Sequence, residues 1–125
     1  MTVAGVGIDM IEVERVQSSI AKEQGFRELV FSVKEIAYCE SKANKFQHYA
    51  ARFAAKEAFF KALGTGWLKD TAFNEIELTN DENGKPTLEP IGESAVVINR
   101  GGPLKISVSL THLKTTASAV VIIEK

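Results

Sequence analysis

Residues 105–111 alternate Lys-Ile-Ser-Val-Ser-Leu-Thr, a period of two that predicts a strand. Ile106, Val108 and Leu110 fall on its inner side, with Ser107, Ser109 and Thr111 on its wet side. The stretch Val3 to Asp9 predicts a first strand, with Val6, Ile8 and Met10 on one face and Gly7, Asp9 and Ile11 on the other. Asp9 therefore stands at a strand's end, on a side cleared by Gly5 and Gly7. Apolar β-branched runs predict two further strands, at Val96 to Ile98 and at Ala119 to Ile123. Glu75 to Thr79 and Pro86 to Glu89 flank Asn83-Gly84, which predicts a hairpin closed by a type I′ turn.

Between these strands the period changes to that of helices. Val13, Val16 and Ile20 form one apolar side of a helix beginning near Ile11. Shorter helical turns are expected from Phe26 to Phe31 and from Lys34 to Ser41. For the latter, Ser32 is the N-cap and Glu35, three residues on, completes a capping box. A long helix is expected from Lys45 to Leu63, stopped by Gly64. Helices mostly early and antiparallel strands mostly late predict one α+β domain over residues 1–125, its N-terminal helices packed on the sheet.

The long helix is unusual in being apolar on nearly every side while still carrying charge. Ala54, Ala55, Ala58 and Ala62 make a small-residue face. Glu57 projects near Phe53 and Phe60 with Lys61 beside it, and Arg52 and Lys56 share another side with Phe59 and Leu63. A helix of this kind is buried, and charges within it must be paired or bind something charged.

Composition narrows the choice of partner. The 125 residues carry a net charge of −1, so bulk nucleic-acid binding has no electrostatic basis. No apolar run approaches a bilayer span, and the mildly apolar stretch Met1 to Val6 lacks the basic flank of a signal peptide. The single cysteine, Cys39, suits a reducing compartment and reads as a small buried residue; a cytoplasmic protein is expected.

Two carboxylates, Asp9 and Glu57, without clustered His or Cys favour a hard cation such as Mg²⁺. Arg52, Lys56 and Lys61 on the same helix could then hold phosphate oxygens, the parts of a phosphoryl-type transfer. Each piece also has a plainer use. Glu57 and Lys61 are spaced as an i,i+4 ion pair, Asp9 as a helix N-cap, and His112 as a turn residue. Gly64-Thr65-Gly66 fits a cap and a tight turn, and no P-loop lysine follows it. Phe59, Phe60 and Trp67 fit either core or pocket wall.

Five elements occur in one order: Gly7-Ile-Asp9 with Arg15; Phe31-x-x-x-Glu35-x-x-Tyr38-Cys39; Arg52-Phe-Ala-Ala-Lys-Glu-Ala-Phe-x-Lys61-Ala-x-Gly-Thr-Gly66; Asn83-Gly-Lys-Pro86; and Ser109-Leu-Thr-His112. Together they resemble the holo-[acyl-carrier-protein] synthase family of small 4′-phosphopantetheinyl transferases, from Val6 to about Glu124. The resemblance implies transfer of 4′-phosphopantetheine from coenzyme A to a serine of apo acyl carrier protein, releasing adenosine 3′,5′-bisphosphate, in fatty acid biosynthesis. It implies a homotrimer with a site at each subunit boundary.

Residue by residue, the resemblance makes Asp9 and Glu57 the magnesium ligands. Arg52, Lys56, Lys61, Gly64, Thr65, Gly66, Thr111 and His112 fall on its nucleotide-binding segments, and Arg15 on its carrier-docking helix, with Arg27 a second docking cation. Catalysis would fall to Glu57, Lys61 and Asp9. The carrier serine would lose its proton to Glu57 or to a water on the ion, and Lys61 would stabilise the leaving group. Glu23, Glu28, Glu35 and Glu40 interrupt the basic residues of the docking region, which weakens steering of an acidic carrier. The alternatives are a transferase for a specialised, polyketide-type carrier and a non-catalytic coenzyme A-binding protein.

Overall fold

Two glycines decide how the molecule is built. β1 (Val3–Glu12) lies against a 19-residue helix, α4 (Lys45–Leu63), so closely that a Cβ on Gly5 would come within 1.9 Å of the Ala62 carbonyl oxygen. A Cβ on Gly7 would meet the Ala58 carbonyl oxygen at the same distance. Only hydrogen on the strand and methyl groups on the helix allow this approach. The protein is described here by a computed structural model covering residues 2–125.

α4 sits on the inner face of a three-stranded antiparallel sheet ordered β1-β5-β4, with β4 at Lys105–His112 and β5 at Thr116–Glu124. The register sets Asp9 opposite Ala119, itself opposite Leu110; the next inward row is Ile11, Ala117 and His112. Ala119, Val121 and Ile123 join Ala54, Ala55, Ala58, Phe59 and Phe60 in one core. The outward rows pair Val6, Ile122 and Ser107, then Ile8, Val120 and Ser109, then Met10, Ser118 and Thr111. On this outward side Val6, Ile8 and Met10 are 60–70% exposed.

Three helices precede α4: α1 (Val13–Lys22), α2 (Phe26–Val30) and α3 (Val33–Glu40). Val13 and Val16 are buried with Phe31, Cys39 and Tyr49 in a second core. The Ser32–Glu35 capping box is formed at α3, and Gly64 ends α4 in the left-handed conformation at φ 80°. The α+β class and the span of the long helix are as expected.

Four expectations are corrected. Val96 to Ile98 is not a strand: it lies in the helix α5 (Gly92–Ile98), because Glu75 Oε1 accepts the Ser94 amide and hydroxyl and so caps that turn. The strands do not form one sheet, since β2 (Ile76–Asn80) and β3 (Pro86–Pro90) pair separately. Their connection is not a two-residue type I′ turn but a loop over 81–85. Asp81 Oδ1 accepts the amides of Asn83 and Lys85, and Gly84 has positive φ while Asn83 does not. Asp9, expected at a strand end, is inside β1, which continues to Glu12.

Candidate active site

The glycine–alanine contact fixes where the charges of α4 emerge. Asp9, two residues past Gly7, projects on the same inward side of β1, at the flank of α4. There Lys61 Nζ donates to Asp9 Oδ1 at 3.0 Å and to the Ile8 carbonyl at 3.0 Å. Glu57 lies one helical turn before Lys61, half-buried. Its carboxyl is raised above the ordinary glutamate value, first by burial and then by the Asp9 charge, with Lys61 opposing both. Two carboxylates and one ammonium thus meet at a strand–helix junction, and the group keeps an excess of negative charge. Among the described residues no group of three or more His, Cys, Asp or Glu side chains is placed to hold a metal ion.

Gly64, Thr65 and Gly66 follow directly from the last turn of α4, exposed, with Gly64 and Gly66 at positive φ. They extend the Asp9–Glu57–Lys61 group along the same end of the helix. Trp67 next to them is exposed, its indole N–H donating to the Thr71 carbonyl, whereas Phe59 and Phe60 are core.

Arg52 lies on another side of the helix and is itself only 2% exposed. Five residues before Glu57, it is rotated by roughly 140° from it. The guanidinium stacks on the Tyr38 ring at 4.1 Å, and Nη2 donates to Asn80 Oδ1 at 2.9 Å. Its buried Nε has no hydrogen-bond partner among the described residues. Lys34, Tyr38, Arg52, Leu78, Thr79 and Asn80 line a hollow of about 340 Å³ there. Tyr38 and Asn80 were absent from the expected site. Tyr38 stood in the motif with Glu35, and the role of Asn80 had no signal in the chain.

His112 makes a third station. Its Nδ1 lies 2.8 Å from Gln47 Oε1, and its ring packs edge-on against His48 at 5.1 Å. Burial and then the neighbouring His112 lower the His48 pKa. Gln47 precedes Glu57 by ten residues, about 15 Å of helix. Within one chain His112 is therefore not brought to the carboxylates. Thr111, its expected companion, points to the opposite, outward face.

Lys56 is the clear correction. It is fully buried, and its ammonium donates to Glu35 Oε1 at 2.8 Å and to the carbonyls of Phe73 and Ile76 at 2.7 Å each. All three N–H donors are used, leaving none for a phosphate. Arg27, expected to dock a carrier, is held by Glu28 at 2.7 Å and by Glu40 at 3.5 Å. Arg15 on α1 is exposed and forms no ion pair among the described residues. A groove of about 610 Å³ along α1, lined by Glu12, Glu14, Gln17 and Lys114 among others, is larger than the Arg52 hollow but collects no comparable group of reactive side chains.

The profile of the 4′-phosphopantetheinyl transferase superfamily matches residues 5–121. The chain is 46% identical over 125 residues to a protein of Cytophaga hutchinsonii named holo-[acyl-carrier-protein] synthase, with 98% of each chain covered. Among solved structures, the holo-[acyl-carrier-protein] synthase of Neisseria meningitidis superposes with a TM-score of 0.88 at 28% identity, covering 99% of this chain and 100% of that one. A holo-(acyl-carrier-protein) synthase from Bacillus anthracis, solved in complex with CoA (3′,5′-ADP), has a TM-score of 0.80 at 33% identity, covering 98% of this chain and 97% of the other.

Proposed function

The chain belongs to the 4′-phosphopantetheinyl transferase superfamily, and on that footing we propose that it carries out the holo-[acyl-carrier-protein] synthase reaction. It moves 4′-phosphopantetheine from coenzyme A to a serine of apo acyl carrier protein and releases adenosine 3′,5′-bisphosphate. The observation that carries this reading is the junction of Asp9, Glu57 and Lys61 beside the 64–66 loop, in a chain matched end to end by relatives of that name.

The donors at the junction fit magnesium. They are carboxylate oxygens only, and Glu57 is pushed toward holding its proton by burial and by Asp9, a repulsion that an added cation relieves. Asp9 and Glu57 would hold the ion. Its chemistry, when bound, is to neutralise charge on the diphosphate of coenzyme A.

The residues themselves supply the remaining work. Glu57 takes the proton of the carrier serine, whose oxygen then forms a bond to the phosphorus bearing pantetheine. The bond from that phosphorus to the adenosine-side phosphate breaks, and Lys61 stabilises the charge on the departing bisphosphate. Arg52, its guanidinium fixed by Tyr38 and Asn80 in the wall of the hollow, binds a phosphate of the nucleotide, as does His112. The 64–66 loop offers backbone amides to the same ligand.

These stations are dispersed along about 25 Å of α4, from Gln47 beside His112 to Gly64. A homotrimer accounts for that dispersion, with one chain supplying Asp9, Glu57 and Lys61 and its neighbour supplying Arg52 and His112. The outward rows of Val6, Ile8 and Met10 are the apolar surface such an assembly would cover. The carrier docks on α1 through Arg15, in the cytoplasm, for fatty acid biosynthesis.

The direct test is the mass of purified apo acyl carrier protein after incubation with this protein, coenzyme A and Mg²⁺. A gain of one phosphopantetheine is expected. An unchanged carrier mass, with coenzyme A still bound, would favour a binding protein without turnover.

A further inference from the structure

The cation that Asp9 holds in this structure is the chain's own. Lys61 Nζ sits 3.0 Å from Asp9 Oδ1 and 3.0 Å from the Ile8 carbonyl oxygen, two hard oxygen donors on one edge strand. The partners differ in freedom. The Asp9 side chain is only 17% exposed, on a strand pinned to α4 by Gly7, whereas the Lys61 side chain is 53% exposed on a flexible stem. When the pair separates, it is Lys61 that moves.

We propose that Lys61 is a placeholder cation: its ammonium occupies Asp9 until a divalent ion takes that carboxylate, and the exchange releases Lys61 toward the anionic substrate. This rests on the reading of Asp9 and Glu57 as the ion's ligands and adds a second position for Lys61. The charges explain why exchange is favoured over simple addition. With Lys61 in place the three side chains sum to −1, and Glu57 still faces Asp9 in a partly desolvated setting. An ammonium offers one charge and contacts Asp9 through a single oxygen. A divalent ion offers two and engages both carboxylates, so it outcompetes the lysine at the point where the two acids meet. Displaced from Asp9, Lys61 remains at the C-terminal end of α4, next to the 64–66 loop, where a phosphate of the ligand would lie. The same residue thus offsets the charge of Asp9 beside Glu57 before loading and serves the leaving group afterwards.

The test is direct binding of Mn²⁺ without coenzyme A, followed by electron paramagnetic resonance, for the unaltered protein, Lys61→Met and Asp9→Asn. Lys61→Met should bind Mn²⁺ about three- to tenfold more tightly, because an internal competitor is gone, and Asp9→Asn should lose the site. Unchanged or weaker binding by Lys61→Met, with the site still lost in Asp9→Asn, would overturn the placeholder role and leave the ion ligands standing. Full binding by Asp9→Asn would overturn the ligand assignment and the proposal together. Nitrogen-detected NMR of lysine ammonium groups in the unaltered protein needs no variant. The signal of the Asp9-paired Lys61 ammonium should disappear as Mg²⁺ is added, whereas a general charge effect would leave it in place, and its persistence at saturating Mg²⁺ overturns the exchange.

Discussion

Lys56 and Glu35 form a fully buried ion pair at 2.8 Å that ties three elements into one unit. Glu35 Oε1 also accepts the Ser32 amide at the start of α3, and its Oε2 accepts the Leu78 amide of β2. Lys56 completes its coordination with the Phe73 and Ile76 carbonyls. Every donor and acceptor is satisfied, which is the condition under which buried charge is tolerated.

Removing one member should cost about 3–5 kcal/mol, because the other charge is left buried and alone. Lys56→Met is expected to lower the unfolding midpoint sharply in chemical denaturation, and Lys56→Met with Glu35→Gln to cost less than the two single changes added together. An additive double variant would mean that the two side chains are not coupled.

Gly7 and Gly84 should respond differently to alanine. At Gly7 the new Cβ falls 1.9 Å from the Ala58 carbonyl, so strand and helix must part, and a loss of several kcal/mol or failure to fold is expected. At Gly84 nothing lies within 4 Å, and only the positive φ opposes the change, at about 1 kcal/mol. Parallel denaturant titrations of Gly7→Ala and Gly84→Ala would measure the contrast.

Burial raises the Cys39 thiol to about 12. A folded value above the unfolded one means that stability is fully present below the unfolded pKa near 8.5 and is lost as pH rises toward 12. The unfolding free energy should therefore fall with a slope of at most about 1.4 kcal/mol per pH unit from this group. Tyr49, raised by burial and by its bond to Glu40, adds to the decline at higher pH. Cys39→Ala should flatten the lower part of that curve. In the native protein the thiol should resist a disulfide reagent that labels it rapidly in denaturant.

Glu57→Gln should lower kcat by about 10²–10⁴ at saturating Mg²⁺, with a smaller change in the KM for coenzyme A. Steady-state kinetics with varied Mg²⁺ would check this, and full turnover by the glutamine variant would remove Glu57 as proton acceptor.

The charge pairs on α2 and α3 separate the two docking candidates. Arg15→Glu should raise the KM for the carrier about tenfold and leave that for coenzyme A nearly unchanged. Arg27→Glu should do less, since Glu28 and Glu40 already neutralise that side chain. Equal effects on both substrates would place the carrier elsewhere.

What the chain disclosed by itself was local. The span of α4 followed from an apolar pattern closed by Gly64, and the capping box from Ser32 and Glu35 three residues apart. The inward row of β4 followed from alternation, and the cleared side of β1 on which Asp9 stands followed from Gly5 and Gly7. What it withheld depended on distant partners. Lys56 and Lys61 are the same residue type on one helix, and only Glu35, twenty-one positions away, makes the first internal. The β-branched run at Val96 became helical because Glu75, nineteen residues before Ser94, caps its first turn. Asn83-Gly84 lost its two-residue turn, though not the hairpin, to the Asp81 carboxylate. Arg27 is neutralised first by the adjacent Glu28, which the chain did show, and only at longer range by Glu40, thirteen residues on.

Trp67 is the chain's single tryptophan, and it stands exposed directly after the loop at the end of α4. Its emission is therefore an unlabelled optical gauge of that loop, with no second indole to blur the signal. A nucleotide or neighbouring subunit that covered it would move the spectrum to shorter wavelength, so loading and assembly can each be timed in a stopped-flow cell.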